Sequence, residues 1–293
     1  MPRIVPHLWF DTQAVEAAQM YTSIFANAEI TSTAVLEGTP GQDSQSVSFR
    51  LAGQGFAAIN GGPHFQFNPA ISLMVQCKTK EEVDAKWDVL SKDGMPLMPL
   101  GSYPFSQWYG WVQDRYGLSW QLMLADDEKI EQQIRPSFLF SQDVCGLAEE
   151  AIEYYVSVFP QSELKFISRY GSGEALVDEA KVNFAEFTLA GMDFVAMDNG
   201  TGGNFSFNEA FSFMVNCSSQ EEIDFFWHRL SAVPEAEQCG WLKDKYGVSW
   251  QIVPEDFDEI LKESSPEERS RMIQAFLGMK KIDLAAMERA RRG

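Results

Sequence analysis

The chain repeats itself, and no other feature of the sequence constrains its fold as much. Residues 65–91 (FQFNPAISLMVQCKTKEEVDAKWDVLS) and 205–231 (FSFNEAFSFMVNCSSQEEIDFFWHRLS) agree at 14 of 27 positions with a constant offset of 140. Residues 110–121 (GWVQDRYGLSWQ) and 240–251 (GWLKDKYGVSWQ) agree at 8 of 12, now with an offset of 130. Unrelated segments of ordinary composition agree at roughly one position in fifteen. IVPHLWF and IRPSFLF, Tyr21 and Phe25 with Tyr155 and Phe159, and LAGQGFAAIN with LAGMDFVAMD follow in the same order. The chain reads as a duplication, with domains at 1–125 and 134–253, a polar linker at 126–133 and an unduplicated helical tail at 254–293. The period is too long for a solenoid, so each copy should carry its own core.

Periodicity supplies the elements. Residues 4–10 alternate as a strand, and Val15, Ala18, Tyr21 and Phe25 share one face of a helix over 13–25. β-prone stretches follow near 29–37, 46–52 and 55–60, closed by Gly61-Gly62-Pro63. A second round has a strand at 70–77, a helix at 80–92 and strands near 97–100, 107–113 and 118–124. Each copy is thus two βαβββ modules, and single helices punctuating runs of strands indicate an α+β fold. Pro6 and Pro136 are expected at strand starts, where a missing N–H costs least. In the tail, Ser264 or Ser265 before Pro266 opens one amphipathic helix with Met272, Phe276 and Met279 at helical spacing.

Composition narrows the function. Lys+Arg is 23 against 42 for Asp+Glu, a net charge of −19, which disfavours nucleic acid and anionic membranes as partners. No apolar run approaches the length of a membrane span, and MPRIVPHLWF lacks the pattern of a signal peptide. Cys77, Cys145, Cys217 and Cys239 form no CxxC pair and read as reduced thiols, so a cytoplasmic location is expected.

Several residues together carry a resemblance. They are Pro6-His7-Leu8-Trp9-Phe10, the Asn60-Gly61-Gly62-Pro63 turn, Phe67-Asn68 before Ser72, and Glu81-Glu82-Val83-Asp84 with Trp87. Gly110-Trp111 through Asp114, Gly117, Trp120 and Gln121 completes the set, and Met279-Lys280-Lys281-Ile282-Asp283 is similar to a family ending. With two βαβββ modules per copy, they resemble the vicinal oxygen chelate superfamily of glyoxalases, dioxygenases and bleomycin-resistance proteins. Within it they are most similar to the PhnB-like family labelled 3-demethylubiquinone-9 3-methyltransferase. The resemblance implies a curved mixed sheet around a cleft in each copy. A tandem chain would form its own pseudo-dimer, with a homodimer as the alternative.

The resemblance also nominates residues. Metal-dependent relatives place ligands on inward-facing positions of four strands. Carried onto this chain, these are His7, Asn60, Ser72 and Gln121 in the first copy and Ser137, Asp198, Ser212 and Gln251 in the second. A Gln amide ligates without charge and Ser is a poor neutral ligand, so a divalent metal on His7 and Gln121 lacks the usual three or four donors. The expected function is therefore small-molecule binding by these eight residues without a resident cofactor. The alternatives are a divalent-metal lyase, isomerase or dioxygenase, and the methyltransferase of the label. For the last, no strand is followed by G-x-G-x-x-G. Gln121 and Gln251 sit in apolar strands, where a buried amide needs partners for both its oxygen and its NH2. His7 reads either as a core hydrogen-bonder or as a ligand contact that titrates near an imidazole's ordinary pKa of roughly 6.5.

Overall fold

A computed structural model describes residues 3–36, 44–125 and 130–293. The chain divides into two compact units, Pro6–Phe211 and Met1–Val5 with Ser212–Gly293. These boundaries do not follow the repeat, and the reason lies in how the strands pair.

In the larger unit, the first module supplies β1 (Ile4–Phe10), α1 (Ala14–Ile24), β2 (Glu29–Leu36), β3 (Ser44–Leu51) and β4 (Gln54–Asn60). They pair in the order β1-β4-β3-β2, with β1 and β4 parallel. The second module supplies β5 (Ile71–Cys77), α2 (Lys80–Leu90), β6 (Met95–Tyr103), β7 (Ser106–Gln113) and β8 (Ser119–Leu124). The third supplies β9 (Ile134–Phe140), α3 (Ala148–Val158), β10 (Glu163–Arg169), β11 (Val182–Leu189) and β12 (Met192–Asp198). The second and third modules form one mixed eight-stranded sheet, β10-β11-β12-β9-β5-β8-β7-β6. Antiparallel pairing of β5 with β9, from Ile71↔Phe138 to Val75↔Ile134, joins the two copies. Each module leaves one strand edge unpaired, and the junction satisfies both backbones at once.

Pro6 and Pro136 occupy the third position of their strands instead of the start. The missing N–H is still tolerated, because the parallel ladders to β4 and β12 begin one residue later, at His7↔Ala57 and Ser137↔Val195. One face of the eight-stranded sheet packs on helices. Phe138 stacks with Phe187 and Phe194 and meets Tyr155 of α3, while Trp120 packs on Tyr21 and Phe25. The shared D-x-x-G run is a hairpin lock. The Asp114 carboxylate accepts from the Tyr116 and Leu118 backbone N–H, Tyr21 Oη and Trp120 Nε1, with Gly117 at φ 87° closing the turn. Burial pushes the Asp114 pKa up, with the hydrogen bonds from Tyr21 and Trp120 opposing it. Asp244 repeats the lock with Tyr246, Val248 and Trp250.

In the smaller unit, β13 (Phe211–Cys217), α4 (Gln220–Leu230), β14 (Trp241–Lys243) and β15 (Ser249–Pro254) pair as β14-β15-β13. This fourth module differs from the βαβββ expectation. The offset falls from 140 to 130, and the missing ten residues are those that build β6 in the first copy. A 3-10 turn, Pro234–Ala236, stands there. The tail covers the bared edge, since Cys239 and Gly240 donate their N–H to the carbonyls of Met279 and Lys280. That contact also explains why the tail is not one helix. It forms α5 (Phe257–Glu263), α6 (Pro266–Leu277) and α7 (Leu284–Arg292), with a Ser265/Glu268 capping box on α6 and Asp283 capping α7.

Of the expected linker, residues 126–129 lie outside the described residues. Next to them, the Gln132 amide donates to the Ile134 and Asp193 carbonyls and accepts from Asp193 N–H. No helix among the described residues is long and apolar enough to cross a membrane.

Candidate functional site

Strand alternation sorts the eight-stranded sheet into two faces. Trp120 and Leu122 of β8 point to the helix side, which leaves Ser119, Gln121 and Met123 on the opposite face. Register extends that face across the sheet. Met74 pairs with Gln121 on one side and Arg135 on the other, and Ser72 pairs with both Ser119 and Ser137. Trp111 and Tyr109 of β7 lie beside Gln121 and Met123, while Val195 and Glu186 continue outward from Ser137.

Four strands converge on one amide. Gln121 Nε2 donates to Ser72 Oγ at 2.6 Å and to Ser137 Oγ at 3.5 Å, and Tyr109 Oη donates to Gln121 Oε1 at 2.7 Å. All four residues are buried, so the amide meets its requirement for partners at both ends. Burial holds the Tyr109 phenol above its ordinary pKa, which keeps it a donor and fixes the amide's orientation. Trp111 Nε1 donates to Ser119 Oγ at 2.7 Å, setting an indole wall next to the centre.

The structure thus brings together Ser72, Gln121 and Ser137, one residue pair from the first copy and one residue from the second. In the smaller unit Gln251 Nε2 donates to Ser212 Oγ at 2.9 Å, repeating the pair. Position 239 there is cysteine where the first copy has Tyr109. Asn60 and Asp198 have other tasks. Asn60 Oδ1 accepts from Ala14 N–H at the start of α1. Asp198 accepts four backbone N–H groups, from Gly146 and Ala148 on Oδ1 and from Lys181 and Val182 on Oδ2. The residues of these two strands that register with His7 and Ser137 are Ala57 and Val195, both aliphatic.

His7 also departs from expectation. It is buried in β1, and burial lowers its imidazole pKa to about 4, so it stays neutral through the neutral range instead of titrating there. His7 and Gln121 belong to different sheets, because the two modules of the first copy pair with different neighbours. The two members of the metal pair nominated from the sequence thus lie in different sheets.

Around Gln121 the donors are one amide and the three hydroxyls of Tyr109, Ser72 and Ser137, with Val195 as a further register neighbour and the Arg135 guanidinium two strands away on the same face. No group of three His, Cys, Asp or Glu side chains comes together among the described residues. A neutral donor set of this kind does not fit a divalent ion, which takes charged or imidazole ligands.

Sequence reasoning missed Tyr109, Arg135 and Glu186. Comparison of the copies carries the signal for the last two: Arg135 stands where the first copy has Val5, and Glu186 where it has Ser48. The Phe-Asn turns prove to be a seam between the copies. Asn68 Nδ2 donates to Ser206 O and Asn208 Nδ2 to Gln66 O, both at 2.9 Å. A small pocket between them is lined by Phe67, Asn68, Ala70, Ile71, Phe207 and Asn208, among others.

Comparison with known proteins bears on this geometry. A family model described as 3-demethylubiquinone-9 3-methyltransferase matches residues 2–123 and again 132–253. Among solved structures, a PhnB protein from Bacillus cereus is 43% identical over 41% of this chain and 98% of its own, with a TM-score of 0.39. Glyoxalase I from Zea mays is 10% identical over 89% of this chain and 95% of its own, with a TM-score of 0.55, a likeness of fold. The fosfomycin resistance protein FosX from Listeria monocytogenes is 15% identical over 42% of this chain and 91% of its own, with a TM-score of 0.33. No curated protein matches the chain.

Proposed function

The chain belongs to the 3-demethylubiquinone-9 3-methyltransferase family, in two tandem copies on the glyoxalase fold of the vicinal oxygen chelate superfamily, and on that premise we propose that it binds a small organic molecule on the Gln121 face of the eight-stranded sheet. The observation that carries this reading is the buried Gln121 amide, oriented by Tyr109, Ser72 and Ser137 from three neighbouring strands. Binding sites for small molecules combine apolar walls with a few convergent polar groups. Here Met74, Met123 and Trp111 supply the walls, and the two methionines adapt to a ligand's shape.

The same residues support binding more than turnover. Tyr109 is held protonated, which makes it a donor and not a base, and Gln121 and the serines supply orientation without charge. Methyl transfer, named in the family's description, has no counterpart in a strand followed by a Gly-rich loop.

Native mass spectrometry of protein purified from cells tests the reading. A small organic adduct is expected on the wild type, retained after chelation and lost in Gln121→Leu. An adduct that survives the substitution, or that leaves with a chelated metal, overturns it.

A further inference from the structure

We propose that Arg135 makes this face a carboxylate-binding site, so that the ligand is a small organic acid with its carboxylate on the guanidinium and its far end at Gln121. The inference rests on the binding reading above and adds the chemical class.

Arg135 is 7% exposed, and its register places it on the Gln121 face of the sheet. Of its donors, Nη1 bonds Glu186 Oε1 at 2.5 Å. Nη2 donates to the Met74 thioether, with Sδ at 3.7 Å, and a thioether is a weak acceptor. Nε is fully buried and has no hydrogen-bond partner among the described residues. Burying an N–H without an acceptor is unfavourable, and such groups are uncommon in folded chains. The two poorly matched nitrogens are neighbours on one edge of the guanidinium. That Nε/Nη2 edge takes a carboxylate side-on through two parallel hydrogen bonds. Glu186 occupies the other side and holds the group in place.

Geometry sets the ligand's reach. Met74 on β5 pairs with Arg135 on β9 and with Gln121 on β8, so the guanidinium and amide strands are two strand spacings apart, about 10 Å. The unbranched Met74 side chain lies between them and can swing aside to open the Nε/Nη2 edge. Trp111, beyond Gln121, offers a flat apolar wall to the body of such an acid. A chain of net charge −19 does not attract anions from a distance, so recognition has to be local. A buried guanidinium provides that, since charge-assisted bonds strengthen where water is excluded.

The duplication isolates the feature. Positions 135 and 186 are Val5 and Ser48 in the first copy, an aliphatic residue and a hydroxyl in place of two opposite charges. The fold evidently closes this module type without an ion pair, so the pair adds something the shared architecture does not need.

Benzoate and its neutral counterpart benzamide serve as probes, followed by NMR at the Arg135 Nε–Hε and Trp111 Nε1–H signals of the full chain. Benzoate is expected to shift both signals saturably, and benzamide to leave Arg135 Nε–Hε unmoved. Arg135→Met should weaken benzoate binding about tenfold or more, the scale of a lost charge-assisted pair, and leave benzamide unchanged. Glu186→Gln, which keeps the guanidinium, should still bind benzoate. If Trp111 responds equally to both probes while Arg135 stays silent, the carboxylate site is overturned and the binding reading stands. If neither signal responds to either probe, both fall. The wild-type Arg135 signal decides the matter even where a variant fails to fold.

Discussion

Asp198→Ala separates the two roles that this residue could play. The sequence nominated it as a ligand contact, whereas the structure makes it a tether for two segments of the larger unit. Its carboxylate accepts from Gly146 at 2.7 Å, Ala148 at 3.2 Å, Lys181 at 3.1 Å and Val182 at 2.8 Å. Alanine leaves all four donors without an acceptor. Lys181 is exposed and can turn to water, while Gly146, Ala148 and Val182 are buried and cannot. At about 1–3 kcal/mol for each stranded donor, three of them cost about 3–9 kcal/mol before relaxation. Single substitutions rarely exceed about 5 kcal/mol, because loops adjust, so a loss of about 3–5 kcal/mol is expected. For a cooperative unit of this size that lowers the melting temperature by about 6–20 °C. Asp198→Asn keeps one acceptor oxygen and should lose less. Thermal and urea unfolding followed by circular dichroism would measure both variants. A melting temperature for Asp198→Ala within about 2 °C of wild type, combined with lost ligand binding, would refute the tether and restore Asp198 to the site.

Two further outcomes follow from the same geometry. The His7 pKa of about 4 lies below its ordinary 6.5, so between those values the unfolded chain binds more protons than the folded one. The resulting stability, about 3 kcal/mol, is complete above pH 6.5 and is lost as pH falls towards 4. Urea midpoints measured across that window should fall less in His7→Asn, and a His7 NMR signal that titrates between about pH 7.5 and 5.5 would contradict the burial argument. Gly110→Ala would place a Cβ 2.5 Å from Trp87 Cζ3 and 2.7 Å from Cε3, forcing the indole of α2 off its packing position. A cost of about 1–3 kcal/mol is expected in denaturant unfolding, with unchanged stability as the contrary result.

Much of the fold was legible in the sequence because its causes are local. Period-two alternation marked β1, helical spacing marked α1 and α2, and Ser264 or Ser265 before Pro266 marked the start of α6. The D-x-x-G run of Asp114 and Gly117 closes its hairpin with donors two and four residues away, so both copies could be recognised and both build the same turn. Gln121 stood out for the same reason, as an amide inside an apolar strand. Its partners were harder to read. Ser72 and Ser137 were nominated, but Tyr109 is placed by the register of β7 on β8, which no local pattern specifies.

What only the tertiary structure decided was which strand edges meet. The two modules of the first copy offer similar edges to any neighbour, and local sequence does not distinguish the possible partners. The pairing of β5 with β9 placed Ser137 beside Gln121, while His7 lies in a different sheet from Gln121. Parallel ladders that begin one residue after Pro6 and Pro136 put Ala57 and Val195, not Asn60 and Asp198, opposite the first-strand candidates. Arg135 and Glu186 are 51 residues apart and became a pair only through β9, β12 and β11. His7 carries an ordinary imidazole in sequence, and its neutrality follows from burial. The sequence by itself determined the repeat, the elements and the turns, since these depend on neighbours along the chain. Edge pairing, register and burial depend on neighbours across it, and they decided which of the candidate residues come together.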